Sequence, residues 1–242
     1  MDIIIPMAGL GSRFPSTTYK RPKPLIEVNG VTMINRALTS MGFVGNYHFI
    51  VAKNDWTQIL ISEIKTTLFY DDLASNVNII EIDHLTEGPA CTALLAEKDI
   101  DIEDELVIAN CDQIMEWKCK NFINQARQYD GCIVTYHADT TKNSYARLDK
   151  HGEVTEVREK EVISNVSLNG IHYWKCGQFF IESTREMINA GFRAPNGEFY
   201  IGPTYNSMIN RGYSVGIHHI PNQCHNAVGT PEDLNKYIGK SE

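Results

Sequence analysis

Three isoleucines near the amino terminus, Ile3, Ile4 and Ile5, lead through Pro6 and Met7 into a run of small residues, Ala8, Gly9, Gly11 and Ser12. A short, unbroken apolar run bounded by glycine reads as a strand buried on both faces, and such strands belong to parallel sheets covered by helices. The small residues after it let the backbone approach a ligand closely and present several N–H groups to an anion. Permanent cations follow at once: Arg13, Lys20, Arg21 and Lys23. Strand, glycine turn and cations together predict a triphosphate cradle, with Met7, Ala8, Gly9, Gly11 and Ser12 against the nucleotide.

Two common phosphate loops are excluded. The dinucleotide pattern G-x-G-x-x-G has Phe14 in place of its third glycine, and the next strand ends in Val51-Ala52-Lys53 without an acidic residue. No G-x-x-x-x-G-K-[ST] run exists either, so this is no P-loop. A nicotinamide dehydrogenase is therefore not expected. A glycine turn after a first strand is also common in α/β folds, so the loop by itself leaves nucleotide binding open.

Along the chain, Leu25–Val28 reads as a short strand closed by the turn pair Asn29-Gly30, and Ile34, Leu38 and Met41 share a helical face ended by Gly42. Strands are predicted over 47–51 and 78–82, with a helix over 56–68 between them. This alternation predicts an α/β fold: a Rossmann-like doubly wound, mixed but mainly parallel sheet. Pro89 opens a small-residue helix after Gly88. Leu106–Ala109 has the continuous apolar character of a central strand and delivers Asn110, Cys111 and Asp112 at its carboxyl end. Ligands of open α/β sheets sit beyond those ends, so Asp112 is expected in the same cleft as the glycine loop. A carboxylate there suits Mg2+, which takes oxygen ligands and bridges phosphates while keeping waters; a capping role at the turn is the alternative.

From Gly131 the character changes to β. A strand over 131–137, a hairpin of 145–148 with 154–158 around Lys150-His151-Gly152, and a strand over 170–174 follow. A helix is expected over 204–211 and a strand over 214–220. Thr230 then caps a last helix, with Pro231 at its first position and Glu232 and Asp233 in its first turn. One domain over 1–242 is expected, with a nucleotide-binding part over 1–130 and a small β-rich acceptor-binding part over 131–242.

The 242 residues carry a formal charge of −8, which lowers the case for a nucleic-acid partner. None of the six cysteines forms a C-x-x-C pair. Buried free thiols, and with them a reducing cytoplasm, are expected. No apolar stretch nears the roughly 20 residues that a membrane span requires, so no membrane association is expected.

The segment Pro6–Phe14, followed by Arg21-Pro22-Lys23-Pro24-Leu25, resembles the opening of the nucleotidyltransferase (sugar-phosphate pyrophosphorylase) family. Gly229-Thr230-Pro231-Glu232-Asp233-Leu234 resembles its closing segment, and the likeness covers nearly the whole chain. The resemblance implies a GT-A-like fold in which Arg13 and Lys23 contact phosphates and catalyse, Asp112 is the Mg2+ aspartate, and Gly88 meets the nucleobase, with His84 or Glu87 near. Asn110 is expected at the nucleotide. The stretch from Val157 through Glu159-Lys160-Glu161 to Gly170 and Tyr173 resembles the family's Glu-Lys-Pro segment and next strand, which implies acceptor contacts by Glu159, Lys160 and Gly170. Glu198, beside Phe199 and Tyr200, joins them as an acceptor-site candidate.

The chain departs from the pattern twice. Glu161 stands where proline is usual, and Ala227 stands where many members carry a second metal aspartate. That second departure keeps a non-catalytic nucleotide sensor open as an alternative. Local wording such as Asn110-Cys111-Asp112-Gln113 resembles a compact bacterial subgroup tied to capsule and surface-polysaccharide assembly. It implies CTP as donor and a small phosphorylated acceptor, with a sugar 1-phosphate and other pyrimidine triphosphates as the alternative. A homo-oligomer is implied by the resemblance, while the residues themselves are silent on it.

Overall fold

A computed structural model describes residues 1–239. The first half alternates as its periodicity predicts. Strand β1 (Asp2–Met7) is followed by the glycine loop, a 3-10 turn at Lys23–Leu25, the two-residue strands β2 (Glu27–Val28) and β3 (Val31–Thr32), and helix α1 (Met33–Met41). Then come β4 (Gly45–Ala52), α2 (Thr57–Tyr70), β5 (Ala74–Ile82), α3 (Pro89–Leu94), β6 (Leu106–Ala109), β7 (Gln113–Met115) and α4 (Cys119–Ala126). The strand expected over Leu25–Val28 is shorter, because Pro22 and Pro24 set the tight 3-10 turn before it. Asn29 and Gly30 take φ of 50° and 78°, the left-handed pair that a two-residue hairpin requires.

The second half contributes β8 (Gly131–His137), β9 (Ser144–Leu148), β10 (Val154–Glu159), β11 (Val166–Trp174), α5 (Gly177–Asn189), α6 (Tyr205–Asn210), β12 (Val215–His219), β13 (His225–Ala227) and α7 (Pro231–Ile238). Nine strands form one mixed sheet. β6, β1, β4 and β5 lie parallel in that order, and β11 runs antiparallel against β6. The carboxyl-terminal half of β11 lies between β6 and β8, and its amino-terminal half between β8 and the β9–β10 hairpin. β12 closes the β8 side in parallel. A separate ladder joins β13 to β7 and draws the end of the chain back to the segment after Asp112.

Alternation along β1 sorts its isoleucines onto two cores. Ile3 and Ile5 pack with Leu38, Phe49 and Phe122, whereas Ile4 packs with Ala90, Phe180 and Tyr205 on the other face. Each is fully buried, and such burial stabilises by about 1.5–3 kcal/mol per side chain. A third, smaller core holds Phe14, Ile26, Val28, Ile114, Val228 and Leu234. It fixes the far end of the glycine loop to α7, so Phe14 is an anchor where a dinucleotide fold would have glycine.

Candidate active site

The glycine loop leaves the carboxyl end of β1 and turns at Gly11, whose φ is +61°. A Cβ there would sit 3.2 Å from the Cβ of Lys23, so the missing side chain lets the loop press on the catalytic candidate. Lys23 is held by the turn between Pro22 and Pro24. Its Nζ lies 2.5 Å from Oδ2 of Asp112, which arrives from the carboxyl end of β6. Burial alone would lower the Lys23 pKa, but the Asp112 carboxylate overrides it and holds the ammonium above its ordinary value. The two residues expected to meet across a polyphosphate are therefore in direct contact, 89 positions apart in sequence.

Gly229 completes this corner. A Cβ on it would fall 2.4 Å from Asp112 Oδ2 and 3.6 Å from Lys23 Nζ. The Val228 N–H donates to the Asp112 carbonyl at 3.0 Å, which locks β13 and the start of α7 behind the carboxylate. Gly229 was recognised in sequence as part of a motif, but not for this close approach. A glycine directly before a Thr-Pro helix cap is the signal that could have found it.

Two depressions flank the Lys23–Asp112 pair. A groove of ≈ 320 Å³ runs past Met7, Ala8, Gly9, Gly11 and Lys23 to Lys53 and Asp83. A larger cleft of ≈ 920 Å³ holds Arg13, Asn110, Asp112, Glu159, Lys160 and Gly170. Gly170, at φ +96°, makes room for the Asn110 amide: a Cβ there would lie 2.1 Å from Asn110 Nδ2. Ser12 is exposed on the loop and lines neither depression. Gly88 also lines neither. It packs on the Phe199 backbone, where a Cβ would meet atoms at 2.5 and 2.6 Å, and its carbonyl accepts from Thr92. His84 lines the groove but Glu87 does not; its carboxylate bonds Arg193.

In the larger cleft, Glu159 at the end of β10 is 8 % exposed and its Oε2 accepts from the Ser144 hydroxyl. Burial pushes its pKa up to about 7. Lys160 adopts φ 57°, a left-handed conformation costly for a side-chain-bearing residue. A proline at 161 would drive its predecessor toward extended backbone, so Glu161 is what leaves this turn accessible. The Lys160 ammonium then donates to the Tyr200 hydroxyl at 2.9 Å and lies 4.8 Å from that ring centroid. Glu198 is exposed beside this cleft, not in its wall, and its Oε2 accepts from Asn196 at 2.8 Å. Sequence reasoning left Ser144 unmarked. It also named Tyr200 only as a neighbour of Glu198; the structure places Tyr200 in the cleft wall.

Among the described residues no group of three or more His, Cys, Asp or Glu side chains converges on a metal position. Ala227 pairs with Gln113 in the β13–β7 ladder and brings no carboxylate. A single hard carboxylate in a phosphate-sized cleft still fits Mg2+, which commonly takes one or two carboxylates with phosphate oxygens and waters. Asp112 is the residue that would hold it. Also among the described residues, no helix is long and apolar enough to cross a membrane.

Residues 3–197 match the model of the family described as nucleotidyl transferase. The chain is 22% identical to the UTP--glucose-1-phosphate uridylyltransferase AglF of Haloferax volcanii, over 98% of this chain and 94% of that one. Its fold superposes on a nucleoside-diphosphate-sugar pyrophosphorylase from Vibrio cholerae RC9 with a TM-score of 0.85 at 24% identity, covering 98% and 99% of the two chains. An inositol-1-phosphate CTP transferase from T. maritima shares the fold at a TM-score of 0.72 and 12% identity, over 99% and 94%. The chain belongs to the nucleotidyl transferase family and is a nucleotidyltransferase enzyme.

Proposed function

We propose that this enzyme transfers CMP from CTP to a small phosphorylated acceptor, L-glutamine phosphate, giving CDP-L-glutamine and pyrophosphate for capsular polysaccharide modification in the cytoplasm. The observation that carries the transfer is the Lys23–Asp112 contact at the junction of the glycine-lined groove and the larger cleft. A donor triphosphate laid along the groove would put its α-phosphorus at this corner, facing an acceptor in the cleft. A phosphate oxygen of the acceptor attacks that phosphorus. A new P–O bond forms, the bond to the bridging oxygen breaks, and its electron pair leaves with pyrophosphate.

Such transfers depend on positioning and charge neutralisation more than on a protein nucleophile. Lys23 bridges the incoming phosphate and the α-phosphate, Arg13 neutralises the leaving group, and the backbone of residues 8–11 holds the triphosphate. Mg2+ on Asp112, when bound, supplies further neutralisation of the polyphosphate. Glu159, Lys160 and Gly170 line the acceptor side.

The narrower identity is supported by sequence: Asn110–Gln113, Gly197–Pro203 and Gly229–Leu234 resemble CTP:phosphoglutamine cytidylyltransferase. A second reading, a sugar-1-phosphate cytidylyl-, uridylyl- or thymidylyltransferase, is favoured by the substrate in the name of the Haloferax relative. Pyrophosphate release from a panel of triphosphates, each with L-glutamine phosphate or a hexose 1-phosphate, separates them. Release with CTP and L-glutamine phosphate is expected. Release only with a hexose phosphate selects the second reading, and none with any pair returns the chain to a nucleotide sensor.

A further inference from the structure

Glu159 is a buried carboxyl group that forms no ion pair among the described residues. Its carboxylate closes the end of β10 inside the acceptor cleft, and the neutral Ser144 hydroxyl is its one hydrogen-bond donor. Among the described residues no cation comes within 4.0 Å of it. The nearest candidate, Lys160, is its sequence neighbour, yet the left-handed turn there sends the ammonium to the Tyr200 hydroxyl and ring. Burial opposes its ionisation most; the Lys160 ammonium favours it without pairing, and Glu198 opposes it to a lesser degree. A buried carboxylate without a cation is costly, and a structure that retains one in a ligand cleft leaves its counter-charge to the ligand.

We infer that Glu159, held by the Ser144 hydroxyl at the end of β10, is the receptor for a protonated amine on the acceptor. The substrate class is then a small zwitterion, with phosphate toward Lys23 and an ammonium toward Glu159. A sugar hydroxyl could donate to the same oxygen, but it would leave the buried Glu159 carboxylate without an ion-pair partner. An ammonium supplies both the donors and the charge. The inference rests on the reading of this cleft as the site of a phosphorylated acceptor.

The test is calorimetric titration of the full chain with ligand pairs that differ only in the amine. L-Glutamine phosphate is compared with the same molecule lacking its α-amine, and ethanolamine phosphate with ethyl phosphate. The amine should tighten binding at least about tenfold in each pair, as a charged hydrogen bond in a desolvated site does. Glu159→Gln should collapse that ratio to near unity, and taking the ratio within one variant cancels any general loss of fold. Should Glu159→Gln not fold, Ser144→Ala should lower the ratio measurably by removing the donor that favours the ionised carboxylate. A ratio below tenfold in the unsubstituted chain overturns the inference, as does a ratio unchanged by both variants. If ethanolamine phosphate shows the ratio and L-glutamine phosphate does not bind, the amine receptor stands and the glutamine identity falls. If L-glutamine phosphate binds no better than its amine-free form, the receptor falls and the glutamine identity stands.

Discussion

Lys23 touches Asp112, so the two charges neutralise each other at this corner. Lys23→Met keeps most of the side-chain volume and removes the charge that would follow the reacting phosphates. Loss of one preorganised donor costs about 10²–10³ in rate. Pyrophosphate release by Lys23→Met should fall by that factor with little change in melting temperature; a rate within a few-fold of the unsubstituted chain would remove Lys23 from the chemistry. Gly229→Ala tests the same corner from behind. Its Cβ, 2.4 Å from Asp112 Oδ2, must displace the carboxylate, and misplacement by about 1 Å can cost about 10²-fold. Steady-state turnover of the folded variant is the readout. That Lys23 and Asp112 meet was legible because the resemblance places both at one polyphosphate and the carboxyl end of a central strand opens into that cleft. Gly229 was not, because its reason is a three-dimensional approach and not a local conformation.

At the level of elements, the glycine loop is backed by the small core behind it. Phe14 meets Tyr19 edge-on with ring centroids 4.9 Å apart, and it shares a cluster with Leu234 of α7. α7 is set by its own signals: Thr230 accepts from the Asp233 N–H at 3.1 Å, and Pro231 opens the first turn. Those signals were readable in sequence, as were the parallel strands and the Gly42 stop, where φ is 67°. Helices α4 and α5 were not anticipated. The first is only eight residues long, and the polar residues of Gly177–Asn189 hide an apolar face that Phe180, Ile181 and Met187 complete only once the sheet is in place. The β13–β7 ladder likewise depends on two short segments far apart in sequence. Leu234→Ala should destabilise the chain by about 2–5 kcal/mol, the cost of a large-to-small core change. It should also raise the triphosphate concentration needed for half-maximal turnover, since the loop loses its backing. A stability loss with unchanged triphosphate dependence would separate this core from the loop.

Across the whole molecule, two buried titratable groups pull stability in opposite directions between pH 5 and 7. His172 of β11 is 4 % exposed and packs near-parallel to both Trp174 and Tyr205, and burial lowers its pKa to about 3. The unfolded chain takes up that proton near pH 6.5 (about the unperturbed value) while the native chain does not. The stability His172 contributes is therefore present above about pH 6.5 and is lost as the pH falls below it, by at most about 1.4 kcal/mol per pH unit. Glu159 does the reverse. With its native pKa raised from 4.5 to about 7, its contribution is present below pH 4.5 and is lost as the pH rises toward 7, when the carboxyl must ionise without a cation. His172→Phe preserves the stack and forfeits no bond of Nδ1, which has no partner. It should weaken the rise of stability with pH over this range, of which His225, its pKa lowered to about 4 by burial, keeps a share, whereas Glu159→Gln should steepen the rise. Urea midpoints at several pH values for the three chains decide it. Parallel curves would mean that neither group titrates as its burial requires, and an amine-bearing acceptor should flatten the Glu159 contribution by supplying its missing counter-charge.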